Sequence, residues 1–204
     1  VAKVPCAECG AMILPATAES TGGICMACKQ GIRKSMEESR EFYKKLKEYD
    51  PVRELWVSLV KRSSHDPSLR DWSRSEARYF AVGLLEGQIF NGGFDQYFSN
   101  SSGDYYEEAV CGLEEIGATD ALALLHDAVR LIFGEHQPPK AQSERWDLMK
   151  RLQHTSINRN LEAIRSRALD ELDRAFYEIS TPLSDSLLNY AKAQGLIAPF
   201  EQES

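Results

Sequence analysis

The sequence predicts an all-α fold, a single multi-helix domain with a small N-terminal module joined to it by a helix. Three observations carry this. From residue 52 onward apolar side chains recur at helical intervals of about 3.6 residues, with no alternating run of β-branched residues. Helix punctuation is legible: "SRSE" at Ser73 to Glu76 is a capping box, and "STP" at residues 180 to 182 places Thr181 as N-cap with Pro182 in the first helical position. Four of the five cysteines crowd into the first 28 residues, a chemistry separate from the helical body.

Residues 1–30 form the first element. "CAEC" (Cys6, Cys9) and "CMAC" (Cys25, Cys28) are separated by fifteen residues, the spacing of paired thiolate knuckles around a tetrahedral ion. Structural zinc is the expected cofactor, since four sulfurs leave no open position for catalysis. Disulfides, a redox pair and a rubredoxin-like iron site are the alternatives. Residues 31–50 follow as a charged linker helix with Ile32, Met36, Tyr43 and Leu46 at helical spacing and Pro51 ending it.

The main domain spans residues 51–200, with helices predicted at 52–62, 73–90, 94–99, 104–117, 119–133, 142–153, 158–179 and 182–194, the last closed by Gly195. At its centre lies "NGGFDQYFSNSSGD". Asn91, Gly92 and Gly93 stop a helix and turn the chain. Phe94, Tyr97 and Phe98, at i, i+3 and i+4, anchor the turn in the core, with Gln96 between them. Ser101 or Ser102 then caps the next helix, and Gly103 precedes its acidic first turn at Asp104, Glu107 and Glu108. A polar ligand site built from Asn91, Asp95, Gln96 and Asn100 is the competing reading of this stretch.

Charge is segregated. The net charge is −7, yet residues 1–50 hold eight Lys/Arg against seven Asp/Glu, and the remainder holds sixteen against twenty-four. Between Arg78 and Arg130 nine acids occur with no Lys or Arg. Such a surface repels nucleic acid and attracts basic partners. On a wheel of about 100° per residue Glu107, Glu108, Glu114 and Glu115 fall within about 80° of Asp104, opposite Tyr105, Tyr106, Ala109, Val110, Leu113 and Ile116. At about 1.5 Å per residue these five acids give one charge per roughly 3–4 Å, near the 3.4 Å along one DNA strand. Asp120 extends the acidic surface. The acids Asp170, Glu171 and Asp173 lie beside Arg165, Arg167 and Arg174, where local ion pairing is expected.

The run from "GQIFNGGFDQYFSNSSGDYYEEAV" through "IGA" to Gly134, with "LDRAFYEISTPLSDSLLNYAKAQG" toward the C-terminus, resembles the signature of the DNA-mimic protein family, a helical domain long catalogued without a function. The resemblance covers about residues 52 to 197 and excludes the cysteine module. It implies an all-α fold, a homodimer as a candidate state, and acidic side chains that stand in for DNA phosphates and capture a transcription factor.

Catalytic signatures are missing. His65, His126, His136 and His154 are dispersed, Cys111 lies among carboxylates that oppose thiolate formation, and there is no GxSxG, Walker A or dinucleotide fingerprint. The expectation is therefore a non-enzymatic module that binds a basic protein, such as a transcription factor or other DNA-binding protein, through Asp104, Glu107, Glu108, Glu114, Glu115 and Asp120. A zinc-ribbon adaptor using Lys3, Lys29, Arg33 and Lys34 toward nucleic acid or a protein complex is the first alternative. A small-ligand or hydrolytic site at the NGGFDQYF turn is the second. No membrane segment and no secretory signal is visible, so the cytoplasm is the expected location.

Overall fold

The computed structural model describes residues 2–45, 47–155 and 159–197. Leu46 and positions 198–200, included in the readings above, lie outside the described residues, as does the side chain of His154. The fold is all-α with a small N-terminal module, and the chain divides into two compact units, Val1–Asp50 and Pro51–Ser204.

In the first unit β1 (Val4–Pro5) and β2 (Met12–Ile13) pair antiparallel, with Val4 opposite Ile13. The first cysteine pair sits on the turn between them, closed by Cys6 N–H to Ala11 O at 2.9 Å and Gly10 N–H to Cys6 O at 2.9 Å. Helix α1 (Pro15–Thr21) begins on a proline, whose missing N–H costs nothing at a helix start. Helix α2 (Met26–Lys29) is capped by Cys25, whose sulfur accepts from Cys28 N–H at 3.4 Å. Residues 31–50 supply α3 (Arg33–Lys45), which has no buried residue.

The second unit is built around one long helix. After α4 (Pro51–Ser63), α5 runs from Arg74 to Ser99. A one-turn 3-10 segment (Ser101–Tyr105) leads into α6 (Tyr106–Glu115), then α7 (Thr119–Phe133), α8 (Gln142–Thr155), α9 (Arg159–Glu178) and α10 (Ser180–Ala193). All of these other helices pack on α5. Its buried residues, from Ala77 through Leu85 and Ile89 to Phe98, therefore point several ways, which is why its sequence lacks one clean apolar stripe. The capping box at its start is present: Ser73 Oγ accepts from Glu76 N–H at 3.2 Å, and Ser73 N–H donates to the Glu76 carboxylate at 2.8 Å. Arg62 of α4 pairs with Glu76 and lies over the Trp72 ring at 4.6 Å.

The expected break between the segments 73–90 and 94–99 is present: Gly92 and Gly93 leave helical geometry, and α5 is two helical arms joined across this kink. Two other expected boundaries are corrected. Helix α6 starts at Tyr106, so neither Ser101 nor Ser102 caps it; Ser102 is buried and its hydroxyl donates to Tyr97 O at 3.1 Å. Helix α10 starts at Ser180, with Thr181 and Pro182 inside its first turn, where backbone N–H groups have no intrahelical acceptor and proline is tolerated.

The kink is held from α9. Gly93 has φ 75° and ψ −176°, a region reserved for glycine, and a Cβ there would overlap the Asp173 carboxylate. That carboxylate accepts from Phe94 N–H at 2.9 Å, capping the second arm across the domain. Tyr177 OH donates to Ile89 O at 3.2 Å, so α9 satisfies a backbone group on each side of the break. Burial raises the Asp173 carboxyl above its ordinary value, Asp170 and Asp95 adding to the effect while the Phe94 N–H opposes it. Local pairing is not how α9 uses its charges: among the described residues no ion pair joins Asp170, Glu171 or Asp173 to Arg165, Arg167 or Arg174, and Arg165 instead donates to Ile132 O at 3.0 Å. Beyond the kink Phe94, Tyr97 and Phe98 are fully buried, Phe94 edge-on to Phe176 and Phe98 edge-on to Phe133.

Two glycines of α5 should respond oppositely to alanine. Gly93→Ala adds strain and displaces Asp173, and is expected to cost about 3 kcal/mol in urea unfolding. Gly87→Ala, on an exposed helical position with no atom within 4 Å of the new Cβ, should stabilise by roughly 1 kcal/mol.

Candidate metal centre and acidic face

The fold brings Cys6, Cys9, Cys25 and Cys28 together. Their sulfurs all lie within 4.8 Å of one another, Cys6 to Cys28 at 3.9 Å and Cys9 to Cys25 at 3.7 Å, and none is in a disulfide. A tetrahedral ion with metal–sulfur bonds of about 2.3 Å would set its ligands about 3.8 Å apart, so the four residues fit such an ion. Cys25 N–H donates to Cys6 Sγ at 3.1 Å. The backbone N–H of Cys9, helped by those of Cys25 and Glu8, pulls the Cys6 thiol down to about 6. Cys25 is lowered mainly by the Cys28 N–H, with Arg33 assisting. Cys28 is raised by burial and by its cysteine neighbours. A divalent cation favours the thiolate form of all four sulfurs, since a metal-bound cysteine gives up its proton. Four cysteines that can bind a metal ion are what the geometry provides. Among the described residues no other set of His, Cys, Asp and Glu comes close enough to hold one.

Of the four basic residues expected to face nucleic acid, Arg33 is turned onto the cysteine sulfurs, while Lys3, Lys29 and Lys34 are exposed, Lys34 with Glu38 at 3.8 Å.

In the second unit the six acids separate into two groups. Glu107, Glu108, Glu114 and Asp120 are exposed and have no ion-pair partner among the described residues. Asp104 and Glu115 are neutralised, contrary to their reading as outward, uncompensated charges. Asp104 pairs at 2.7 Å with Arg145, and Glu115 pairs with Arg78 and accepts from Tyr190 OH at 3.3 Å. Both arginines come from outside the basic-free stretch of sequence, so a window along the chain could not reveal them. The neighbouring acid Asp127 pairs with Arg130. Asp104 also precedes α6 on the 3-10 segment and so falls out of phase with the helical wheel. Three free carboxylates then span Glu107 to Glu114, seven steps of about 1.5 Å, and the phosphate-like spacing computed for five is not kept. A cleft of about 710 Å³ beside α6 is lined by Glu107, Glu108 and Glu144, but also by Arg74, Arg78 and Lys140.

Arg145 is the residue that sequence reasoning missed. Fully buried on α8, its guanidinium donates to Phe98 O at 2.8 Å, Asn100 O at 2.7 Å, Pro139 O at 3.0 Å and Lys140 O at 2.6 Å while pairing with Asp104. It thereby accepts the role of a C-cap for α5. Gly103 is required by this approach, since a Cβ there would come within 2.8 Å of Arg145 Nε. "NSSGD" is the imprint of an arginine more than forty residues away. The one signal in the sequence was an arginine in an amphipathic helix next to Trp146, whose indole N–H donates to Ser99 O at 2.7 Å.

The polar residues of the central turn are likewise engaged with each other. Gln96 and Asn100 both donate to Gln88 Oε1, at 3.1 and 2.7 Å, bracing the kink from its outer side, while Asn91 and Asp95 are exposed. A concavity of about 500 Å³ lies beside them, lined by Gly92, Asp95 and α9 residues including Asp170 and Asp173. It brings no histidine, cysteine or serine–base pair together with these acids.

The second unit is thus an all-helical body with exposed carboxylates at Glu107, Glu108 and Glu114 on α6 and at Asp120 in the first turn of α7, and the first is a tetrathiol module. The chain belongs to the DMP19-like protein family, whose model matches residues 70–194, from just before α5 to the end of α10. The cysteine module and α4 lie outside the matched part. No curated protein and no solved structure matches the chain at a significant level. Among the described residues no helix is long and apolar enough to cross a membrane.

Replacing Arg145 by Met keeps the bulk but leaves Asp104 and four carbonyls without their donor. Unfolding stability is expected to fall by about 3–5 kcal/mol, read from urea denaturation, and a loss under 1 kcal/mol would remove Arg145 from its organising role.

Proposed function

We propose that this protein is a non-enzymatic binding module that captures a basic, DNA-binding protein on the acidic edge formed by Glu107, Glu108, Glu114 and Asp120, with structural zinc held by Cys6, Cys9, Cys25 and Cys28 in a separate module. Family membership suggests a DNA-mimic, protein-binding role, and the observation that carries the reading to these residues is that four exposed carboxylates there have no ion-pair partner among the described residues. A basic partner would gain electrostatic steering toward this edge and lose it with added salt. Asp104 and Glu115 belong to the scaffold under this reading and are not part of the contact.

Affinity capture from the native host at low and high salt identifies the partner. The complex should weaken as ionic strength rises, and joint reversal of Glu107, Glu108, Glu114 and Asp120 to Lys should raise Kd at least about tenfold while urea unfolding shows an intact fold. Capture that ignores both salt and charge reversal would falsify the acidic edge as the contact.

The zinc reading makes its own forecast. The purified chain should carry one zinc ion by elemental analysis, and Cys6→Ser together with Cys25→Ser should abolish it. Amide-exchange protection should then be lost in residues 2–30 and kept in α5 through α10. A metal-free wild-type chain with full protection there would exclude it.

A further inference from the structure

Arg33, the first residue of α3, does not point into solvent as a basic residue on a charged helix is expected to. Its Nη2 donates to Cys9 Sγ at 2.9 Å and to Cys25 Sγ at 3.3 Å, one sulfur from each knuckle. The side chain is only 20% exposed, and its contact with Glu37 is the looser one, 3.9 Å from Nε to a carboxylate that is 59% exposed. The sulfurs are therefore its principal partners. Four thiolates around a divalent ion leave a net charge of −2, confined to a few ångströms in a half-buried site. Backbone N–H groups temper this at Cys6 and Cys25, but they bring no net charge.

We propose that Arg33 is the outer-sphere partner of the metal centre: by bridging Cys9 and Cys25 it offsets half of the excess thiolate charge, draws electron density from both sulfurs and raises the affinity with which the metal is held. The inference rests on reading the four cysteines as a metal centre. Groups that hydrogen-bond metal ligands typically contribute 10- to 100-fold in affinity, roughly the range expected here. A lysine cannot replace the arginine fully, because a single ammonium on a flexible stem does not reproduce the planar fork.

The test uses the full chain with cobalt(II) as a spectroscopic probe and a chelator competition for zinc. Wild type should show the visible bands of a tetrahedral tetrathiolate site. Arg33→Ala should bind zinc about 10- to 100-fold more weakly, with the sulfur-to-cobalt charge-transfer band moved to lower energy as two sulfurs lose a donor. Arg33→Lys should fall between the two, and Glu37→Ala should match wild type in both readouts. An Arg33→Ala chain with unchanged zinc affinity and an unmoved band overturns the role of Arg33 and leaves the metal centre standing. Absence of tetrahedral cobalt bands in wild type overturns the metal centre itself, and the role of Arg33 with it. Should Arg33→Ala fail to fold, Arg33→Lys decides: affinity and band equal to wild type overturn the proposal.

Discussion

The buried guanidinium of Arg145 is the constraint on which the second unit turns. Helix α5 ends at Ser99, and its final carbonyls have no intrahelical donor. A neutral side chain could satisfy one or two of them. A guanidinium, planar and always charged, satisfies carbonyls from two segments and still presents a face to Asp104. Burying that charge is tolerable only because every direction of the fork is met, which in turn fixes where the 3-10 segment and residues 139–140 must run.

The kink at Gly93 solves the complementary problem at the other end of the same segment. A straight α5 would carry Phe94, Tyr97 and Phe98 on past the core. The break re-aims them toward Phe133 and Phe176, and α9 supplies Asp173 and Tyr177 to the backbone groups the break exposes. Between Gly93 and Gly103 the chain is thus held by long-range polar contacts that include an anion at a helix start and a cation at a helix end, the arrangement that the helix dipole favours.

This explains what the sequence could and could not disclose. Helices were legible because periodicity and capping are local, and so were the four cysteines, whose spacing is itself the geometry of the site. Thr181 and Ser102 misled for the same reason: each has the side chain of an N-cap, and only the tertiary contacts of Ser102 with Tyr97 and the longer turn at Ser180 decide otherwise. The break at Asn91–Gly93 was legible as well, because glycine is the residue that leaves helical geometry at least cost. The roles of Arg145 and Arg33 were not legible, because their partners come from distant parts of the chain. An arginine on a charged helix looks solvated until the fold places carbonyls or sulfurs within its reach.

The same logic governs the charge of the molecule. A stretch of sequence without cations is not a surface without cations, because Arg78 and Arg145 enter it from α5 and α8 and pair with Glu115 and Asp104. These pairings leave other acids free: Glu107 and Glu108 at the start of α6, Glu114 near its end and Asp120 in the first turn of α7. Those near a helix start gain from the dipole and lose little by remaining unpaired in water, so folding neither requires nor penalises them. Residues on which folding places so little demand can be set by the surface a partner offers, whereas Asp104 and Glu115 are tied to their arginines. An acidic edge adapted to a basic protein is thus to be sought among the carboxylates that the scaffold does not use.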